Sequence, residues 1–196
     1  MGRKSISQDR KKEILEAYKI VIRKEGIEGA SIGKLAKQIN MPPSLIMHYF
    51  NTKNELIVAV ARDIIEETYT RIIDNIESLP SDNTKERLVN FLFGVECQKN
   101  FDLYYYRLAN YLAHSSEEIS IFLREKFENV VNRIADYIKS EVQSINGYSI
   151  EINEMSSSLL SSSLGFMEVE ILRNDQSSFF KNSRVIREYW LKALRD

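Results

Sequence analysis

Apolar residues recur at helical spacing along almost the whole of this chain. Near its start Ile14, Tyr18, Val21 and Ile22 form one stripe, and a second stripe follows over residues 32–39. Apolar positions three and four residues apart place one face of an amphipathic helix against a core. Only 3 prolines and 7 glycines interrupt the 196 residues. The pattern therefore predicts an all-α protein of about nine helices.

Turn residues divide the start of the chain into three helices. After a polar arm over residues 1–8, a first helix covers residues 9–25 and ends at Gly26. Asn40, which tolerates a left-handed backbone, closes the second helix, and Pro43 opens the third. Two short helices joined by a tight turn predict a helix-turn-helix unit, whose second helix enters the DNA major groove.

The third helix is predicted to have an apolar inward face and a small, weakly polar outward face. From the spacing, the inward face consists of Leu45, Ile46, Tyr49 and Phe50. The outward face carries Pro43, Ser44 and Met47. Since none of these three offers paired hydrogen-bonding groups, they fit thymine methyl groups and DNA shape better than guanine edges.

A capping box begins a long fourth helix. Thr52 is placed to cap the helix start while Glu55 reaches back. The helix continues to about Leu79, which is roughly 40 Å at 1.5 Å per residue. That length lets it leave a head domain over residues 1–52 and enter a body domain over residues 53–196. Further helices are predicted over residues 84–100, 102–113, 117–145, 151–173 and 182–195.

Charge is distributed unevenly between these two parts. Residues 1–55 hold 11 basic and 6 acidic side chains, whereas the remainder holds 16 basic and 22 acidic ones. A basic head on an acidic body suits a protein whose head meets a polyanion. Ordinary solvated helix surfaces would also account for such a distribution.

The sequence contains no catalytic or metal-binding constellation. It lacks a nucleophile elbow, a zinc-protease helix and a phosphate-binding glycine loop. The two histidines lie 66 positions apart and Cys97 is the single cysteine, so no metal ligand set or internal disulfide is expected. We predict no enzyme, metal or cofactor. A lone cysteine, no signal peptide and no long apolar run fit a cytoplasmic protein without a membrane partner.

The helix-turn-helix segment resembles that of the TetR family of bacterial transcriptional regulators. The matching positions are Ser31, Leu35, Ala36, Met41, Ile46, Tyr49, Phe50, Lys53 and Leu56. The chain departs from the family pattern at Asn40, Pro42, Ser44 and Met47. The resemblance implies a homodimeric repressor that binds double-stranded operator DNA with its heads. It also implies a small-molecule effector, of unidentified chemistry, that binds the body and causes release.

The head offers candidate contacts to the DNA backbone and to base edges. Candidate phosphate contacts are Ser31, Lys34, Lys37, His48, Tyr49 and Lys53, the last beside the free N–H groups that begin the fourth helix. Candidate base contacts are Pro43, Ser44 and Met47. Arg3 and Lys4 are candidates for an adjacent minor groove. Core packing for Tyr49, solvation for His48 and a tail role for Arg3 and Lys4 stay open as alternatives.

The body is rich in aromatic residues and carries two strongly amphipathic final helices. Candidate ligand contacts are Phe93, Cys97, Tyr104, Tyr105, Tyr111, Phe127 and Phe166, with core filling as the alternative. Glu96, Glu168 and Glu170 beside aromatic rings would suit a cationic ligand or simply face solvent. Candidate dimer contacts are Leu160, Leu164, Met167, Ile171, Ile186, Tyr189 and Trp190, with intramolecular packing as the alternative.

Two other functions remain open. A helical adaptor could use the same head to bind protein rather than DNA; DNA binding through phosphates would differ by weakening steeply as salt rises. An activator and a repressor are not separated by sequence, because the sign of regulation depends on where the operator lies.

Overall fold

The computed structural model describes residues 3–95, 97, 102–139, 152–173 and 175–194, and these form nine helices without a strand. In order they are α1 (Arg3–Gly29), α2 (Ile32–Gln38), α3 (Pro43–Tyr49), α4 (Lys53–Ser78), α5 (Thr84–Leu92), α6 (Leu103–Ser115), α7 (Glu117–Ile138), α8 (Ile152–Arg173) and α9 (Gln176–Ala193). The all-α prediction is confirmed, as are the three-helix head and the long linking helix.

Two backbone positions shape the head. Gly26 has φ +72° and ψ 165°, so the path of α1 kinks where the sequence predicted its end. Asn40 has φ +50°, the left-handed conformation predicted for it. The amide of Met41 donates to the carbonyl of Ala36 at 3.0 Å, which closes the turn between α2 and α3.

The ends of α1 and α5 differ from the predicted ones. α1 already begins at Arg3, within the segment predicted to be a polar arm. α5 stops at Leu92 rather than at residue 100. Buried hydroxyls of Ser163 and Ser183 donate to the carbonyls of Leu92 and Phe93, both at 2.6 Å. These serines, which come from α8 and α9, satisfy carbonyl groups that a longer helix would have used internally.

The last helices also differ from the predicted bounds. α9 begins at Gln176 instead of residue 182, because the Asp175 carboxylate caps it by accepting from the amide of Ser177 at 2.9 Å. α7 is helical to Ile138. Its predicted extension to residue 145 lies outside the described residues.

One core joins the three head helices to the start of α4. Its fully buried side chains are Ile14, Tyr18, Ile22, Leu35, Ile46 and Leu56. The Tyr18 hydroxyl donates to the carbonyl of Ala30 at 3.0 Å, which ties α1 to the approach to α2. Burial raises the pKa of the Tyr18 phenol to about 12, so it stays a neutral donor at ordinary pH.

α4 belongs to both parts of the molecule. It packs against α1 in the head and against α6 and α7 in the body, while α8 lies on α7 and α9 lies on α5 and α8. Leu56 and Val60 are buried near its start, and Ile72 and Ile76 are buried near its end. A shift of α4 in the body therefore moves head contacts as well. None of the described helices combines the length and the apolar composition that crossing a bilayer requires.

A buried ammonium group fastens α1 to α4. Lys19 is 3% exposed. Its Nζ lies 2.7 Å from Glu16, 2.9 Å from Asp63 and 3.0 Å from Glu67, and the last two are on α4. Burial acts to lower the pKa of Lys19, but hydrogen bonds to the three carboxylates outweigh it and the net pKa is raised. Lys19 therefore stays charged and holds three acids together.

We predict that Lys19→Met lowers the free energy of unfolding by about 2–3 kcal/mol, because three neighbouring carboxylates lose their shared cation. A fully buried pair would cost roughly 3–5 kcal/mol, but these acids reach solvent. Urea unfolding at neutral pH measures the effect. Lys12→Met, on the exposed side of the same helix, is the control and should change little. Equal stability of the two variants would contradict the role given to Lys19.

Candidate nucleic-acid interface and body cavity

Helix α3 presents an uncharged surface to solvent. Pro43, Ser44, Leu45 and His48 are exposed, Met47 is half-buried, and Ile46 is buried. The inward prediction for Leu45 was wrong, since its side chain is 41% exposed. In a helix of seven residues only a few side chains can face the core. Ile46 and the following Phe50 occupy that side, and Leu45 therefore points away from the core. We call Pro43, Ser44, Leu45 and His48 the reading face.

The start of α4 is a capped helix terminus directly after α3. Thr52 Oγ1 accepts from the amide of Glu55 at 3.0 Å, and the Glu55 carboxylate accepts from the amide of Asn51 at 2.6 Å. This is the predicted capping pair, with Glu55 reaching one residue beyond the cap. Lys53 stands half-buried in the first turn. Its cation sits where the helix dipole is unfavourable to it, an arrangement that an incoming anion would relieve.

The other predicted phosphate contacts are distributed around this terminus and the start of α2. Tyr49 is half-buried at the end of α3, and its ring meets that of His48 edge-on at 5.6 Å. Ser31 caps α2 by accepting from the Lys34 amide at 3.2 Å. The Lys34 ammonium is paired with Glu25 at 2.5 Å, so a phosphate there would compete with a carboxylate.

Three further predicted DNA contacts are described less fully. Lys37 is exposed in the last turn of α2. Arg3 and Lys4 lie in the first turn of α1, and their side chains fall outside the described part of the structure.

The body contains a cavity of about 420 Å³ between α4, α6, α7 and α8. Its apolar and aromatic lining is Tyr69, Tyr106, Leu123, Phe127 and Leu164. Its polar lining is Asn110, Ser120, Arg124, Ser161 and Glu168. Burial raises the pKa values of both tyrosines, which therefore remain neutral hydrogen-bonding groups. A concave wall that combines apolar and aromatic side chains with polar groups can hold a small molecule.

The structure brings only Phe127, of the seven predicted ligand contacts, to this cavity. Phe93 and Phe166 pack edge-on at 5.8 Å, and Phe93 is fully buried. Cys97 is also buried, which raises its pKa to about 11 and keeps the thiol protonated. Tyr111 is 57% exposed on another side of the body. These aromatic side chains do not point into the cavity, because the sides of their helices that carry them face other parts of the molecule.

The run Tyr104-Tyr105-Tyr106 joins the cavity to the head. Tyr106 lines the cavity. Its two predecessors instead hold Arg23 of α1, whose guanidinium carbon lies 5.1 Å from the centre of the Tyr104 ring and 4.4 Å from that of Tyr105. Arg23 also pairs with Asp102, and the Tyr104 hydroxyl donates to the carbonyl of Ile22 at 2.8 Å. One helical turn of α6 thus contacts both regions.

Two of the three glutamates considered for a cationic ligand have basic or amide partners within the chain. Glu168 accepts from Arg107 Nε at 3.2 Å, and Glu170 accepts from Arg173 at 2.7 Å and from Asn182 at 2.9 Å. Both carboxylates therefore already have partners. Glu96 lies outside the described residues.

Large apolar side chains are exposed on α8 and α9. We call four of them the apolar stripe: Val169 and Leu172 on α8, and Val185 and Tyr189 on α9, which are 47–65% exposed. Phe180 is also exposed, but it lies nine residues before Tyr189 and therefore on the opposite side of α9. Among the predicted dimer contacts only Tyr189 belongs to this stripe. Leu160, Leu164 and Met167 are buried within the chain, Ile186 and Trp190 are half-buried, and the side chain of Ile171 lies outside the described residues. The predicted line on α8 is the one that packs inside the chain.

These features define the class of helix-turn-helix proteins with an all-helical body. Residues 14–60 match the family model described as bacterial regulatory proteins, tetR family. The N-terminal region of the chain is thus similar to that family, as its motif predicted. The family consists of transcriptional regulators rather than enzymes.

Individual proteins show the same similarity. The HTH-type transcriptional regulator BetI of Escherichia coli strain K12 / DH10B is 28% identical over 102 residues, which are 52% of this chain and 48% of BetI. The match thus spans about half the length of that relative. A TetR transcription regulator from Haloarcula marismortui ATCC 43049 has the same fold, with a TM-score of 0.71 at 20% identity over 96% of this chain and 100% of that one. The multidrug binding protein EbrR, solved with imidazole, superposes with a TM-score of 0.65 at 18% identity over 95% and 96%.

Proposed function

We propose that this chain is a sequence-specific DNA-binding transcriptional regulator that acts as a homodimeric repressor and leaves its operator when a small molecule binds the body. The observation that carries the proposal is the head. A positive-φ turn at Asn40 presents the uncharged reading face of α3, and a capped helix start with Lys53 follows at once. The first feature suits a major groove and the second suits a phosphate.

DNA contact is tested on the phosphate site. We expect Tyr49→Phe and Lys53→Gln each to weaken binding to a duplex from upstream of the chain's own gene by about fivefold, the value of one hydrogen bond to phosphate. Fluorescence anisotropy measures the affinity. Lys139→Gln removes an exposed lysine of the body and serves as the control. An unchanged affinity in the Tyr49→Phe, Lys53→Gln double variant would remove the support for this site.

A second copy of the chain is the occupant proposed for the apolar stripe of α8 and α9. Four large apolar side chains, two on each of two adjacent helices, are exposed to solvent in the single chain, and such a group is typical of an interaction surface. A two-fold pairing would place the recognition helices about 34–36 Å apart, matching successive major grooves.

The dimer is tested by placing charge in this stripe. Val185→Glu with Tyr189→Glu, one turn apart on α9, should give a monomer in sedimentation velocity, because two carboxylates per subunit would have to lose solvent in the interface. Tyr111→Glu alters an equally exposed aromatic residue of α6 and should leave the assembly unchanged. A wild-type protein that sediments as a monomer would refute the proposed pairing.

The cavity and the tyrosine run of α6 support an effector mechanism. A ligand that displaces Tyr106 or Asn110 would move the turn that holds Arg23, and through it α1. α4 lines the same cavity through Tyr69 and provides a second route to the head. An effector changes DNA affinity only as far as it prefers the released arrangement of these helices.

Gly165 allows the mechanism to be tested without a known ligand. A Cβ atom added there meets no atom within 4 Å, and the residue lines the cavity. We expect Gly165→Phe to act as a built-in occupant and to weaken DNA binding at least fivefold, within the usual range of allosteric coupling. Gly165→Ala is the control. In the Arg23→Met, Tyr104→Phe background the loss should shrink. A loss of the same size in both backgrounds would show that the α6–α1 contacts do not transmit it.

A further inference from the structure

We propose that thymine methyl groups specify the DNA that this chain binds, and that Leu45 is the residue that reads them. The inference rests on the proposed function, since it concerns the partner of the same head. It names the kind of base edge that the reading face can distinguish.

The reading face lacks side chains that can make paired hydrogen bonds to a base. Pro43, Ser44, Leu45 and His48 are its exposed side chains. Guanine and adenine are distinguished in the major groove mainly by paired hydrogen bonds from arginine, lysine, asparagine or glutamine. None of these residue types lies on α3. Ser44 and His48 can each make a single hydrogen bond, which distinguishes bases only weakly.

Leu45 lies outside the head core and is exposed to solvent. Its side chain is 41% exposed although Ile46 and Phe50 beside it are buried. The head core is thus complete without it, and folding of the head does not account for a large apolar group at this place. On a base edge in the major groove, the apolar group is the thymine methyl. A leucine held on the outside of α3 therefore has one complementary partner in a duplex.

Two prolines stand at the start of α3. Pro42 caps the helix without a side-chain hydrogen bond, and Pro43 occupies its first turn. Two amide N–H groups that would attract a phosphate are absent from this terminus. In this proposal the start of α4 binds the phosphate. The beginning of α3, which is apolar, then lies against the base edges.

The experiment selects binding sites from a random duplex library with the full chain and then replaces each enriched thymine by deoxyuridine. Deoxyuridine removes the methyl group and keeps the pairing. We expect thymine-containing half-sites, and an affinity about fourfold lower for each contacted methyl, the value of one buried carbon group. Replacing a read thymine by 5-methylcytosine should retain more affinity than replacing it by cytosine.

The protein side of the test uses two variants of matched exposure. Leu45→Ala should bind thymine and deoxyuridine duplexes nearly equally at the contacted position. Ile20→Ala removes an apolar side chain that is 43% exposed on α1 and should keep the wild-type difference. Half-sites defined by guanines, or deoxyuridine duplexes that bind as tightly as thymine duplexes, would overturn the inference while leaving the proposed function standing. Failure to enrich any duplex would overturn both.

Discussion

The head of this protein is held on its body by two cations of α1, and the proposed control of the head by the body depends on that attachment. Lys19 is buried among three carboxylates, two of them on α4. One helical turn later, Arg23 lies against two tyrosine rings and a carboxylate at the start of α6. Neither cation can leave without exposing unpaired acids or empty aromatic faces. The first helix therefore follows any displacement of α4 or α6.

In the proposed mechanism, this attachment connects the cavity to the head. α4 and α6, which hold the two cations of α1, also line the cavity through Tyr69, Tyr106 and Asn110. The three consecutive tyrosines of α6 divide between the two tasks, because successive residues of a helix point about 100° apart. In the proposed mechanism, less than two turns of α6 separate the cavity residues from the residues that hold Arg23. The structural change between the DNA-bound and released states is a change in the packing of α1 against α4 and α6.

The turns of the head could be predicted from sequence, because local chemistry determines them. Asn40 adopts the left-handed conformation that few other residues tolerate, and Thr52 and Glu55 form a capping pair within four residues. The side of each helix that faces the core was harder to predict from the sequence. Leu45 was predicted inward and faces out, and Leu160 was predicted at an interface and lies in the core. Which apolar residue is buried at each place depends on neighbours that are distant in sequence.

Binding of duplex DNA by two heads together is tested most directly by equilibrium binding over a salt series, with the stoichiometry measured at each salt concentration. We expect two chains per duplex, and a logarithm of the affinity that falls steeply and linearly with the logarithm of the salt concentration, as released counterions require. We also expect a selected duplex that binds at least 10³-fold more tightly than an unrelated one. Binding that is insensitive to salt, or one chain per duplex without sequence preference, would contradict the proposed binding by two heads.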